Sequence, residues 1–270
     1  MRSDSAFQSA PQAVAAAPIL AVESISKHYG SAPVLEGLKF DQRPGEFLTI
    51  VGPSGCGKST LLRCIASLMQ PNSGAVRHKG NAFADPPRWL SIVFQDYSRA
   101  LFPWLTVRQN VAFGLRDIGA REKDERVKAA VEAVNLTHAI DLYPWQLSGG
   151  MQQRCSLARS IVVRPELLLL DEPFASVDAQ TRIDLQDLVI DLSRRMKLST
   201  LLVTHDVEEA VYMSDRIVVL STRPARVVEE IAVDLPYPRD QLATKETPEF
   251  LRLRHQVYTL IRAQAKTNKQ

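Results

Sequence analysis

The sequence predicts an α/β fold with a mainly parallel sheet and a helical subdomain inserted into it. Three observations carry this. A strand, a glycine-rich loop and a helix follow one another from Phe47 to about Met69, which makes a βα unit. Near-continuous apolar runs such as Leu167 to Leu170 are of the kind buried on both faces of a parallel sheet. Between about residues 97 and 160, helical patterns succeed one another with no convincing strand among them.

Taken in order, residues 1–18 read as a disordered tail, because Ser, Ala, Gln and Pro dominate and cannot bury enough surface to fold. From Ile19 to Val51, short apolar runs are separated by the turn signals Tyr29-Gly30-Ser31 and Arg43-Pro44-Gly45, which predicts β-strands, with Phe47 to Val51 the most apolar. Lys58 to Met69 carries Leu61, Leu62, Ile65 and Leu68 at helical spacing, and Gln70-Pro71-Asn72-Ser73-Gly74 ends it. Leu90 to Phe94 reads as a strand. Helices are predicted at Thr106 to Leu115, Glu122 to Asn135 and Ser148 to Val163, and strands return at Leu167 to Leu170, Thr200 to Thr204 and Arg216 to Leu220. Between the first two of these, about Asp178 to Met196 places Leu185, Leu188, Val189, Leu192 and Met196 on one helical face. After Pro236 come a short linker and a last helix, about Thr247 to Ala265. The expected organisation is a main domain over 19–235, with the helical subdomain at about 97–160 inserted, and a C-terminal segment over 236–270. No internal repeat is present.

A chain of 270 residues, 45% hydrophobic and 23% charged, has the composition of an ordinary globular protein with a sizeable core. No stretch offers the roughly 18 to 20 uninterrupted apolar residues of a membrane span; the nearest, Ala13 to Val22, is short and broken by Pro18. A net charge of +3 without a basic cluster argues against a nucleic-acid partner. Cys56, Cys64 and Cys155 lack the paired spacing of zinc sites and read as small buried filler in a reducing compartment.

The chemistry lies in three places. Gly52-Pro53-Ser54-Gly55-Cys56-Gly57-Lys58-Ser59-Thr60 fits G-x-x-x-x-G-K-[ST] between a strand and a helix. Its glycines let backbone N–H groups wrap a phosphate, the helix start adds partial positive charge, Lys58 reaches the β- and γ-phosphates, and the Ser59 hydroxyl can ligate Mg²⁺. Leu167 to Leu170 then ends in two adjacent carboxylates: Asp171 stands where P-loop NTPases hold the magnesium, and Glu172 stands where a carboxylate can orient or deprotonate an attacking water. Third, Leu147-Ser148-Gly149-Gly150-Met151-Gln152-Gln153-Arg154 opens a helix with Ser148 as N-cap, a second helix start suited to an anion. One nucleotide does not need two such starts.

That third segment resembles the signature of ABC transporter nucleotide-binding subunits, Leu-Ser-Gly-Gly-Gln or close variants, with Met151 in the place of Gln. The resemblance covers roughly residues 20–235. It implies a P-loop NTPase core with a mainly parallel sheet, an N-terminal antiparallel β subdomain and an inserted helical subdomain. It also implies roles for Tyr29 stacking on adenine, for Gln95 contacting Mg²⁺ and the attacking water, and for His205 hydrogen-bonding the γ-phosphate. Asp178, in Ser176-Val177-Asp178, matches a loop that crosses the dimer interface. With ATP and Mg²⁺ as cofactors, two copies would face head to tail, so that ATP on the loop of one is capped by Ser148, Gly149 and Gly150 of the other. His28, His78, His138 and His255 have no motif context.

The stretch Phe94 to Val107 and the segment Leu235-Pro236-Tyr237-Pro238-Arg239-Asp240 resemble importers for nitrate, sulfonate, taurine and related small anions. That resemblance implies separate integral membrane permease subunits docking near Gln95 to Arg108, an indirect solute-binding protein, and a peripheral place on the cytoplasmic face of the inner membrane. An importer for another small solute, such as a pyrimidine precursor, and a soluble ABC ATPase acting on ribosomes or DNA are the alternatives. The latter class generally carries two cassettes in one chain or a long coiled coil, and neither pattern is present.

Overall fold

In the computed structural model, residues 17–96 and 100–267 are described. The expected tail therefore lies, for residues 1–16, outside the described residues, as do Tyr97, Ser98 and Arg99 at the start of the expected helical insert. Strands β1 (Leu20–Tyr29) and β2 (Ala32–Gln42) form an antiparallel hairpin paired from Leu20↔Gln42 to Tyr29↔Ala32, with register shifts between Val22 and His28. Its turn uses Gly30 at φ 58°, a conformation glycine adopts without a Cβ clash. With β4 (Ser73–His78) and β5 (Asn81–Ala82) they make a four-stranded antiparallel sheet in the order β2-β1-β4-β5.

The second sheet has six strands in the order β10-β9-β3-β8-β7-β6. Its members are β3 (Phe47–Val51), β6 (Leu90–Val93), β7 (Leu167–Asp171), β8 (Ser199–Thr204), β9 (Arg216–Leu220) and β10 (Val227–Ala232). All pair parallel except β10, which is antiparallel to β9. Every residue of β3 and β8 is buried, as strands covered on both faces of a parallel sheet are. Side chains alternate between two cores. Leu168 and Leu170 join the larger one with the helices, whereas Leu167 and Leu169 join the one that includes the antiparallel sheet and α1 (Lys58–Ile65).

Between β6 and β7 lie α2 (Val107–Ala112), α3 (Ala120–Ala133) and α4 (Gly149–Ile161). The helix α5 (Ala179–Arg195) precedes β8, α6 (Val207–Met213) follows it, and α7 (Pro248–Thr267) closes the described chain. The C-terminal segment packs against the rest of the fold, with Phe250, Leu253 and Val257 fully buried in the larger core.

Several boundaries differ from the sequence expectation, among them the helix expected to reach Leu115, which ends at Ala112, and the one expected from Glu122 to Asn135, which spans Ala120–Ala133. The first helix stops at Ile65 rather than Met69, because Ser67 takes φ 56° and the Leu68 N–H turns back to the Arg63 carbonyl at 2.9 Å. Such a left-handed residue terminates a helix, and it leaves Leu68 half exposed instead of completing the apolar face. The strand expected at Leu90 to Phe94 ends at Val93. The short strands β4, β5 and β10 have no counterpart in the sequence reading.

The registers Val51↔Thr204 and Asp171↔Val203 align the carboxyl ends of β3, β7 and β8. The residues that follow, Gly52, Glu172 and His205, therefore emerge along one edge of the sheet, where open α/β sheets bind ligands.

Candidate functional site

The loop Gly52 to Thr60 leaves β3 and enters α1 with Gly57 as N-cap at φ 121°. A Cβ on Gly57 would come within 2.9 Å of Leu35 Cδ2 and of Val34 Cγ1, so the β1–β2 hairpin packs directly on the loop's backbone. Ser54 and Gly55 at the tip are exposed, Pro53 and Thr60 are half-buried, and Gly52 and Cys56 are buried. Lys58 is 5% exposed and bends back across the loop, its Nζ donating to the Gly52 carbonyl at 2.9 Å and to the Pro53 carbonyl at 3.1 Å. Burial pushes the Cys56 thiol up, and it pushes that of Cys155 up to about 12, so these buried cysteines carry little thiolate.

Ser59, on the first turn of α1, donates from Oγ to Asp171 Oδ1 at 3.1 Å. Burial, with the neighbouring Glu172 charge, raises the Asp171 carboxyl above its ordinary value, opposed by the Ser59 hydrogen bond, Arg63 and Lys58. Two hard oxygens this close, one of them a half-buried carboxylate, suit a small dication such as Mg²⁺, which takes few protein ligands and keeps waters. The donor set thus fits the metal expected there.

Glu172 follows with φ 46°, a left-handed backbone held by its N–H bond to the Val203 carbonyl at 2.9 Å. Strain of this kind in a non-glycine residue is characteristic of functional sites. Its Oε2 lies 3.1 Å from His205 Nδ1 and accepts from Gln95 Nε2 at 3.4 Å, so two residues that follow other strands converge on one carboxylate oxygen. Behind them a cavity of about 80 Å³ is lined by Glu172, Ala175, Arg182, Thr204, His205, Asp206 and Glu209.

Ser148 caps α4, its Oγ accepting the Met151 N–H at 3.3 Å, and Ser148 and Gly149 are exposed. Asp178 caps α5, accepting the Thr181 N–H at 3.0 Å and the Thr181 hydroxyl at 2.6 Å, bonds that lower its pKa. A Cβ on Gly150 would meet Thr181 Cγ2 at 2.5 Å, so Thr181 joins the two helix starts. Tyr29, half exposed at the end of the hairpin, donates its hydroxyl to Met69 Sδ at 3.2 Å. Within one chain the residues thus form two groups. Among the described residues, no hydrogen bond joins Ser148, Gly149, Gly150 or Asp178 to the loop at residues 52–60.

Sequence reasoning missed Thr181, Arg182, Thr204 and Gln153, whose buried Nε2 donates to the Pro173 carbonyl at 2.9 Å and ties α4 to the loop after Glu172. Their only signal was position near a cap or a strand end. It also missed Arg159. Its guanidinium lies 4.8 Å from the Phe102 ring centre and 5.5 Å from that of Phe113, in a cleft of about 700 Å³ between β6 and the helical insert. Leu90, Ile92, Phe94, Ile118, Arg88, Arg116 and Arg126 also line this cleft, and Trp104 nearby is 69% exposed.

The ABC transporter family matches residues 35–175, about half of the chain. An ATP-binding protein of Brucella abortus is 44% identical over 243 residues, covering 89% of this chain and 92% of that protein. The nitrate import ATP-binding protein NrtC and the bicarbonate transport ATP-binding protein CmpC of Synechococcus elongatus are each 41% identical. They cover 89% and 93% of this chain, which spans 37% and 39% of those longer proteins. Among solved structures, cbiO1 of Clostridium perfringens, part of the ABC transporter complex cbiONQ, superposes with a TM-score of 0.73 at 27% identity, covering 79% of this chain and 88% of that one. No helix among the described residues is long and apolar enough to cross a membrane.

Proposed function

Because this chain belongs to the ABC transporter family of ATP-binding subunits, we propose that it is the ATP-hydrolysing subunit of an importer for a small anion, working as a head-to-tail dimer beneath separate membrane subunits. The observation that carries the hydrolytic part is the convergence of Gln95 and His205 on Glu172, beside the Ser59–Asp171 pair. Glu172 accepts a proton from the attacking water. Lys58 exchanges its loop carbonyls for phosphate oxygens, which are charged and therefore stronger acceptors. His205 donates to the γ-phosphoryl oxygens, and Gln95 orients the water. Ser59, Asp171 and Gln95 would hold Mg²⁺, which would supply charge neutralisation at the β- and γ-phosphates. Tyr29 stacks on the adenine.

The separation of the site into two groups within one chain supports the dimer. The exposed Ser148–Gly150 turn, with Asp178 beside it, caps the ATP held by the loop of a second copy. Hydrolysis removes the γ-phosphate contact and releases the pair. The aromatic and arginine-lined cleft beside Gln95 supports docking of a permease segment that offers apolar and acidic side chains, with a solute-binding protein acting on the far side and this chain peripheral on the cytoplasmic face. The main domain is taken as 19–235, with the insert at about 97–160 and the 236–270 segment appended. Nitrate and bicarbonate importers among the relatives favour a small oxyanion, and sulfonates and taurine are organic solutes that carry an oxyanion group of the same kind.

Two experiments test this. Glu172→Gln is expected to bind ATP yet lose turnover by about a hundredfold or more and to accumulate as a dimer in gel filtration with Mg-ATP; normal turnover would remove Glu172 from the base role. In the complex reconstituted with permease and binding protein, ATPase stimulation across nitrate, bicarbonate, sulfonates, taurine and a pyrimidine precursor identifies the solute. Stimulation by ribosomes or DNA instead would sink the transport reading.

A further inference from the structure

Glu209 belongs to none of the sequence motifs, yet its side chain is buried on the first turn of α6, just past His205. Its Oε2 accepts the Thr204 hydroxyl at 2.7 Å and its Oε1 accepts Gln186 Nε2 at 3.3 Å. Thr204 Oγ1 in turn accepts the Asp206 N–H at 3.0 Å, and Asp206 Oδ1 accepts the N–H groups of Glu208 and Glu209 at 2.8 and 3.2 Å. Of the two chain neighbours of His205, Thr204 is thereby fastened to this carboxyl directly and Asp206 through the Thr204 hydroxyl, with the helix cap tying Asp206 to the backbone of the same turn. That group is itself steadied from α5, where Gln186 Oε1 accepts Gln241 Nε2 at 3.3 Å.

A buried carboxyl is a costly way to fill space, since an apolar side chain would do so without desolvating a polar group. What it adds is direction: a fixed acceptor for the Thr204 hydroxyl, which then has one orientation towards the Asp206 N–H. Burial pushes the Glu209 carboxyl up, with the Asp206 charge adding to the effect and Thr204, Arg182 and Gln186 opposing it. A glutamine here keeps the shape and one oxygen to accept the Thr204 hydroxyl, the bond that matters for direction, although its NH2 group does not accept from Gln186 Nε2 as Oε1 does.

We propose that Glu209 is a positioning residue of ATP hydrolysis, holding His205 through Thr204 in the place where its imidazole meets Glu172, without itself touching the reacting atoms. This rests on the hydrolytic roles given above to Glu172 and His205.

The test is a double-mutant cycle on the full-length chain, read by single-turnover ATP hydrolysis so that slow variants remain measurable. Glu209→Ala is expected to lower the hydrolysis rate at least about tenfold while KM for ATP stays within about twofold, because the loop's phosphate contacts are intact. In a His205→Ala background the same substitution is expected to cost less than about twofold, since the group it acts through is already gone. Glu209→Gln recovers most of the loss. Should Glu209→Ala fold poorly, Thr204→Val against Thr204→Ser gives the same contrast, the serine keeping the hydroxyl that links Glu209 to the Asp206 N–H. Equal losses with and without His205, a Gln variant as impaired as the Ala variant, or a loss confined to KM would each overturn the positioning role while leaving the ATPase reading intact. Normal hydrolysis by His205→Ala would overturn the role of His205 itself and this inference with it.

Discussion

A single carboxyl whose proton affinity is shifted by burial leaves a mark on stability as well as on chemistry. For Glu209 the folded state raises the pKa above that of the unfolded chain, chiefly through burial. Between those two values the folded protein holds more protons than the unfolded one, so stability falls as pH rises through the window. Glutamine at this position does not titrate. The melting temperature of Glu209→Gln relative to the parent is therefore expected to climb as pH is raised from about 4 towards neutrality, and a pH-independent difference would contradict the shift. Asp171, raised in the same direction, is common to both proteins and cancels. The residues that carry this effect were not legible in the sequence, because Glu209, Thr204 and Gln186 meet only through the packing of α5, α6 and β8. The places of Lys58, Ser59, Asp171 and Glu172 were legible, since each is set by a local strand–loop succession.

At the scale of elements, helix starts decide most of the site. Ser148 and Asp178 each cap a helix, as their types and positions led one to expect for Ser148 and as the structure adds for Asp178. What no local pattern announced is that the two starts touch through Thr181. Gly150→Ala is expected to destabilise the fold by about 1–3 kcal/mol through overpacking against the Thr181 methyl. Thr181→Ser, which deletes that methyl but keeps the hydroxyl bonded to Asp178, should restore most of the loss. Additive thermal shifts in the double variant would show that the contact is not the cause. Hydrophobic periodicity placed the elements more closely than it placed their ends. The first helix was read up to the Gln70-Pro71-Asn72-Ser73-Gly74 cluster, whereas Ser67 in a left-handed conformation ends it at Ile65, ahead of that marker. The strands β4, β5 and β10 escaped notice because β4 buries only Val76, β5 is two residues long and β10 sits at a sheet edge, so none gives a continuous apolar run.

Across the whole molecule, the six-stranded sheet divides the interior in two and the C-terminal segment belongs to the larger half. Phe250, on α7, is fully buried there, so Phe250→Ala is expected to cost about 3–5 kcal/mol in denaturant unfolding. Its neighbour Leu251, 42% exposed, should tolerate alanine within about 0.5 kcal/mol. Equal effects at the two positions would mean that α7 does not dock as described. The broad α/β plan was legible because buried parallel strands have few alternatives in sequence. The docking of α7 was not, since its apolar stripe does not say which surface it covers. The left-handed backbone at Glu172 bears on how such a protein can change over generations. A non-glycine residue held there carries roughly 1–2 kcal/mol of strain, so selection for heat resistance alone, with no demand for turnover, would tend to replace this glutamate with glycine.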